Sequence, residues 1–320
     1  MEAGVFVQWS IPGLWFGALY LCVQKYQQTQ NIMMPSIVVA ALGSGANLLA
    51  MRFFAISLGW GFVGVPLASS VTRLVMLVLL LAHAYFATAG SCPQEPQSSQ
   101  KVIELKSLRT MLQLGLSGGC MLGLEAWFFE MMTVLAGRLG EVVLDAHNIL
   151  LCVCGFVFTS FPLGVSIAAT IRVGNLIGAG DGLQAKRAAV LSIVSGVSFM
   201  AVMACSMFFL RKDMARFFSN SIPVIQLTAR LTPIATLFAV FDGFQGVMGG
   251  VLRGLGRQGM IARMNLVCFW AVGMPLAYWL CFKSSFGVFG LWWGLFAGLA
   301  VIAAFEVFLW RGVDWQREAS

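Results

Sequence analysis

Besides Asp145 at the start of one, four carboxylates stand inside long apolar stretches of this sequence: Glu125, Glu130, Asp242 and Glu306. If those stretches lie in lipid, each acid costs about 2.5–3.5 kcal/mol at the bilayer centre, so each needs a partner, a water-filled cavity or a task. The task that suits a carboxyl group withdrawn from water is to take up and release a proton, or to receive a cation in its place. Glu125 and Glu130 fall within Gly-Leu-Glu-Ala-Trp-Phe-Phe-Glu. Five residues separate them by about 140° around a helix, so one can face a cavity while the other does not. Trp127 between them offers its ring to a flat organic cation. Asp242 precedes Gln245 by one turn in a segment whose glycines admit another helix or a ligand at close range. The one basic residue within its span, read as residues 223–252, is Arg230, twelve residues and about 18 Å along the helix away, so a salt bridge within the span does not account for it. The other reading of these acids is a polar packing network between helices, and it suits Glu130 better than Glu125 or Asp242. Glu306, five residues before Arg311, is expected to reach the membrane interface.

Other groups carry less. Gly115-Leu-Ser-Gly-Gly119 matches the G-x-S-x-G pattern, and His147 lies on the next apolar stretch. That pattern makes a nucleophile only at a strand-to-helix turn, and at a helix start its small residues serve packing. The glycine-rich run Arg172 to Asp181 lacks the Gly-Lys-Ser/Thr ending of a phosphate loop and reads as a tight turn before Lys186 and Arg187. The eight cysteines show no C-x-x-C pair, so they read as buried thiols acting as small hydrophobes. No metal and no cofactor is called for.

The elements that must hold these groups follow from composition. Of 320 residues 59% are apolar and 10% charged, too few polar groups for a water-facing surface. Punctuation by polar, Gly and Pro residues gives nine helix-length spans, at residues 4–25, 33–58, 62–86, 108–136, 142–170, 187–210, 223–252, 260–282 and 287–310. The fold class is therefore an all-α polytopic membrane protein. A Pro-, Gln- and Ser-rich stretch at 89–106 divides the chain into a first lobe, 1–88, and a second, 107–311, with a tail at 312–320. One set of alternate loops holds twelve Lys and Arg, and the other holds six: Arg138, Arg211, Lys212, Arg216, Arg230 and Lys283. The richer side is cytoplasmic, which puts the linker and C-terminus there and the net charge of +7 into topology rather than nucleic-acid binding. An offset of 226 residues aligns Gly61 and Gly64 with Gly287 and Gly290, and Pro35 with Ile261. Spans one to three thus repeat spans seven to nine, as in transporters built of parallel repeats. On that count three helices of a full first lobe are expected to be missing.

These residues resemble the multidrug and toxic compound extrusion (MATE) family, of the eukaryotic type. The resemblance rests on Arg172, Gly174, Asn175 and Gly178 of the glycine-rich run, and on the segment containing Arg253, Gly254, Gly256 and Gln258. Asn265, Gly273-Met-Pro275, Gly290-Leu-Trp-Trp-Gly294 and the Val313-Asp-Trp315 tail follow in order, while Ile11-Pro-Gly and Tyr26-Gln-Gln-Thr-Gln look like the family's fourth span. The resemblance implies a two-lobed, twelve-helix transporter of which this chain holds three helices of the first lobe and all six of the second. It matches Glu125 to the family's seventh-helix glutamate, Glu130 to a second one, and Asp242 to the tenth-helix acid. A further glutamate of animal members falls at Cys152, and a common proline falls at Ser117.

The expected function is secondary active efflux, with no enzymatic step: organic cations or other xenobiotics leave in exchange for protons or sodium by alternating access. Glu125, Glu130, Asp242, Gln245 and Trp127 would form the ion and substrate site. A monomer in the plasma, vacuolar or vesicular membrane is expected, with small molecules, protons or sodium and the bilayer as partners and no nucleic acid. A transport-inactive form acting by association is the first alternative. A lipid-linked sugar flippase is the second, and it would require bases in the cavity, for which Arg52 and Arg73 are the candidates.

Overall fold

The computed structural model describes residues 2–30, 32–89 and 105–319. Among them there is no strand, and nine helices are long and apolar enough to cross a membrane. They divide into two compact units, Met1–Val102 and Ile103–Ser320. The first holds α1 (Glu2–Thr29), α2 (Met34–Met51) and α3 (Gly64–Ala89). The second holds α4 (Leu105–Gly137), α5 (Glu141–Ser160), α6 (Pro162–Gly178), α7 (Gly182–Phe209), α8 (Arg211–Phe218), α9 (Ile222–Gly254), α10 (Gln258–Lys283), α11 (Val288–Arg311) and α12 (Trp315–Glu318). Most of the 89–106 linker, with Cys92 and Lys101, lies outside the described residues.

One expected span is two helices. The stretch 142–170 breaks at Phe161 (φ −140°, ψ −51°), because Pro162 disfavours helical backbone in the residue before it and suits the first position of a new helix. The Arg172–Gly178 motif, read as a turn, is instead the last two turns of α6. The turn proper is Ala179–Asp181, where Gly180 at φ +80° lets Asp181 N–H donate back to Leu176 O at 3.0 Å. Gly256 at φ +71° ends α9 the same way, with Arg257 N–H donating to Leu252 O at 2.9 Å. The reading of cysteines as buried holds for Cys154, Cys268 and Cys281, whereas Cys22, Cys120, Cys152 and Cys205 lie on outer faces, where a thiol suits lipid as well as it suits a core.

The 226-residue repeat is present in the backbone hydrogen bonds and turns at one corner of each unit. A π-helical stretch, Arg52–Ser57, ends α2, and another, Trp279–Lys283, ends α10. In the first, Leu58 N–H donates to Phe53 O at 2.9 Å and Trp60 N–H to Phe54 O at 3.3 Å. In the second, Ser284 N–H donates to Trp279 O at 3.1 Å and Phe286 N–H to Leu280 O at 3.2 Å. Left-handed residues follow at Gly59 and Gly61, and at Ser285 and Gly287. Gly64 then presses on the Phe54–Ala55 backbone as Gly290 presses on Leu280–Cys281, with room for no Cβ: an added one would lie 2.7 Å and 2.6 Å from the nearest backbone atoms.

Unit two is organised around α9, the most buried long helix beside α11. Ser166, Thr170 and Gly174 on α6 face Gly246, Gly250 and Gly254 on α9, both sets at four-residue spacing. Ser166 Oγ donates to Gly246 O at 2.6 Å, and Thr170 Oγ1 donates to Gly250 O at 2.8 Å. Small residues bring the backbones close enough for hydroxyls to bridge them, which is how helices associate where lipid removes the hydrophobic drive. On the other side α10 holds α4: Gln258 Nε2, Asn265 Nδ2 and Trp270 Nε1 donate to the carbonyls of Leu114 (3.5 Å), Met121 (3.1 Å) and Leu124 (3.1 Å). Phe128 stacks on Phe269 at 4.7 Å to complete that contact. The short α12 packs Trp315 against Gly182 and Trp310, and Glu318 pairs with Arg257.

Candidate functional site

These two contacts set Glu125 opposite the glycine face of α9. The α10 ladder fixes α4 at Met121 and Leu124, so Glu125, the next residue, turns into a cavity of about 380 Å³. Its walls are Glu125 and Phe129 from α4, Phe158 from α5, Ser166 from α6, and Gln245, Gly249 and Arg253 from α9. The last three recur every fourth residue and so form one ridge of α9. Arg253 Nη2 donates to Ser166 Oγ at 2.9 Å, and its charge and that of Glu125 interact. Gln245 neighbours the Glu125 carboxyl group. Asp242 flanks the cavity without lining it, one turn before Gln245 and within electrostatic range of Glu125.

The structure thus brings Glu125 and Gln245 together with Asp242 alongside, and leaves two other expected site residues apart. Trp127 is 66% exposed, about 200° around α4 from Glu125, so the aromatic walls are Phe129 and Phe158 instead. Glu130 is also turned outward. The expectation that no base stands near the acid of this helix is corrected: besides Arg230, twelve residues before Asp242, α9 continues to Gly254, so Arg253 belongs to the same helix and faces the cavity. Eleven residues are three turns to within about 20°, which puts Arg253 on the Asp242 face, and a helix boundary drawn two residues further on would have revealed it. Arg52 and Arg73, the bases considered earlier, lie in the other unit and are exposed. The remaining motif residues are structural: Gly174 meets Gly254 across the α6–α9 contact, Asn175 accepts the Ala179 N–H at the end of α6, and Arg172 and Gly178 belong to the same turns. Pro275 sits between two π-helical stretches of α10, where its missing N–H leaves the ladder free to widen.

Glu306 does not reach an interface. It is fully buried, and neither carboxyl oxygen has a hydrogen-bond partner among the described residues, while its charge is within range of Glu125 and Cys268. The serine-protease geometry is absent: His147 packs on Thr133 (3.5 Å) and Trp292, and Ser117 lies sixteen residues before Thr133, about 24 Å along the helix axis.

The family profile MatE matches residues 120–279, half of the chain, which includes every residue lining this cavity. The chain belongs to the MATE family. Its similarity extends well outside the matched half. The rabbit (Oryctolagus cuniculus) multidrug and toxin extrusion protein 1 is 32% identical over 89% of this chain and 50% of its own length. An uncharacterized transporter of Schizosaccharomyces pombe is 31% identical over 93% and 55%, and protein DETOXIFICATION 52 of Arabidopsis thaliana is 31% identical over 99% and 62%. This MATE chain therefore spans about half to three fifths of the length of the curated relatives it matches. The crystal structure of the eukaryotic MATE transporter AtDTX14 superposes with a TM-score of 0.89 at 24% identity, covering 99% of this chain and 70% of that one, which fixes the fold.

Proposed function

We propose that the Glu125 cavity is the cation-exchange site of a secondary efflux transporter, in which an organic cation and a proton or sodium ion compete for the same carboxyl group. The observation that carries this reading is Glu125 opening into a cavity where Gln245 and the Arg253 guanidinium face it, with Asp242 alongside. Arg253, fixed by Ser166, balances one of the two acids, so an entering cation meets a net single negative charge rather than two. Phe129 and Phe158 supply apolar walls and ring faces for its organic part. Competition couples opposite fluxes because each ligand shifts the balance of access states only through its differential affinity for them. Sodium would find oxygen ligands in Glu125, Gln245 and backbone carbonyls. Relatives named for multidrug and toxin extrusion support the substrate class.

The test reconstitutes the full chain in vesicles and follows uptake of a fluorescent organic cation after a pH jump, with proton and sodium gradients varied separately. Binding of the same cation is measured in parallel on the detergent-solubilised chain. Exchange and binding both abolished by Glu125→Gln and weakened by Asp242→Asn is the expected result. Wild-type behaviour of both variants in both assays would overturn the assignment.

A further inference from the structure

The basic residues of the sparser loop side are not spread evenly. Of its six, four line one cavity of about 830 Å³ where α7, α8 and α9 meet: Arg211, Lys212, Arg216 and Arg230. That volume is in the range of a drug-sized ligand and more than an inorganic anion needs. The charge is nearly unopposed. Arg216 pairs with Asp213 at 3.3 Å on the surface, and among the described residues Arg211, Lys212 and Arg230 make no ion pair. Two of the guanidinium groups are already held in place. Arg211 donates to Phe208 O at 3.3 Å and lies 4.9 Å over the Phe208 ring, and Arg230 lies 5.7 Å over the Phe289 ring. Such stacking leaves the outer N–H edges directed to a ligand and reduces the entropy lost on binding it.

Apart from Gln226, the remaining wall is apolar, with Phe208, Ala229 and Pro233 joining Ile222 and Ile225 at the start of α9. Arg211, Lys212 and Arg216 share the short α8 with exposed Phe217 and Phe218, the composition of a helix lying along the boundary between head groups and acyl chains. A cavity with four cations on one side and branched aliphatic residues on the other fits a molecule that is anionic at one end and hydrocarbon at the other.

We propose that this cavity binds an anionic phospholipid, whose phosphate is held by Arg211, Lys212, Arg216 and Arg230 while its glycerol and upper acyl chain lie on Ile222 and Ile225. Bases gathered between helices at head-group depth recognise lipid phosphates by charge, and each cation near such a surface contributes about fivefold in affinity. The site lies apart from the Glu125 cavity, with which it shares no lining residue, so it stands whether or not that cavity exchanges cations.

The experiment adds phosphatidylglycerol, phosphatidylcholine or inorganic phosphate to the delipidated full chain in detergent, and reads bound lipid by native mass spectrometry and thermal unfolding by fluorescence. Phosphatidylglycerol should bind and raise the unfolding temperature, and phosphatidylcholine should do so at least tenfold more weakly. The double variant Arg211→Gln/Arg230→Gln should lose about 25-fold in phosphatidylglycerol affinity. Lys186→Gln/Arg187→Gln, at the start of α7, should lose none. Equal binding of phosphatidylcholine, the full effect from inorganic phosphate alone, or unchanged lipid binding by the Arg211/Arg230 variant would each overturn the proposal.

Discussion

Replacing Gly250 by alanine should destabilise the second unit by about 2–4 kcal/mol, while the same change one residue earlier, at Gly249, should not destabilise it at all. A Cβ on Gly250 would collide with the Ser166 carbonyl and sit 2.5 Å from Ser166 Oγ, whereas a Cβ on Gly249 meets nothing within 4 Å and enters the cavity. Overpacking a filled site costs about 1–3 kcal/mol. Pushing α6 away also strains three polar contacts: Ser166 to Gly246, Thr170 to Gly250 and Arg253 to Ser166. Polar contacts between membrane helices average about 0.6 kcal/mol each, which adds about 2 kcal/mol. Alanine returns up to about 1 kcal/mol through its better helix propensity, and at Gly249 that gain stands alone. Equilibrium unfolding in mixed micelles, followed by tryptophan fluorescence, measures both variants on the same scale. If the two alanines differ by less than about 0.5 kcal/mol, the α6–α9 glycine contact does not hold Arg253 and Ser166 in place as argued.

Arg253→Met should tighten binding of an organic cation several-fold, because it removes the positive charge facing Glu125, and should cost about 1 kcal/mol of stability through the lost bond to Ser166; weaker cation binding would show that Arg253 does not oppose the ligand. Ser285→Gly should stabilise by about 1 kcal/mol, since Ser285 at φ 56° occupies the corner position that Gly59 fills in the other unit, and unfolding midpoints of the two chains check it. Glu306→Met, close in volume, should stabilise by about 1–3 kcal/mol by removing two buried oxygens that have no partner, and a loss of stability instead would reveal a partner for that carboxyl group.

The spans were legible because lipid imposes long apolar runs, and the repeat was legible because its corner demands glycine at fixed places: Gly64 and Gly290 each meet bare backbone. What periodicity could not show is where a helix stops inside a membrane. Pro162 broke one expected span, and Arg253 and Gly254, beyond the expected end at residue 252, proved to be the last two residues of α9. That two-residue difference hid Arg253, the base that most changes the electrostatics of the site. Trp127 and Glu306 failed for another reason. Their chemistry suited a cavity and an interface respectively, but which way they turn depends on the packing of α4 on α10 and of α11 on its neighbours, and sequence spacing alone does not encode it.

The central claim is that one carboxyl group, Glu125, receives either a proton or an organic cation. Equilibrium binding of a fluorescent organic cation to the purified chain, titrated across pH, tests it most directly. Protonation neutralises the carboxylate, so affinity should fall as pH is lowered, by up to tenfold per pH unit where the group titrates, and Glu125→Gln should bind weakly at every pH with that dependence gone. Cation binding that keeps its wild-type strength and pH dependence in Glu125→Gln would contradict the account.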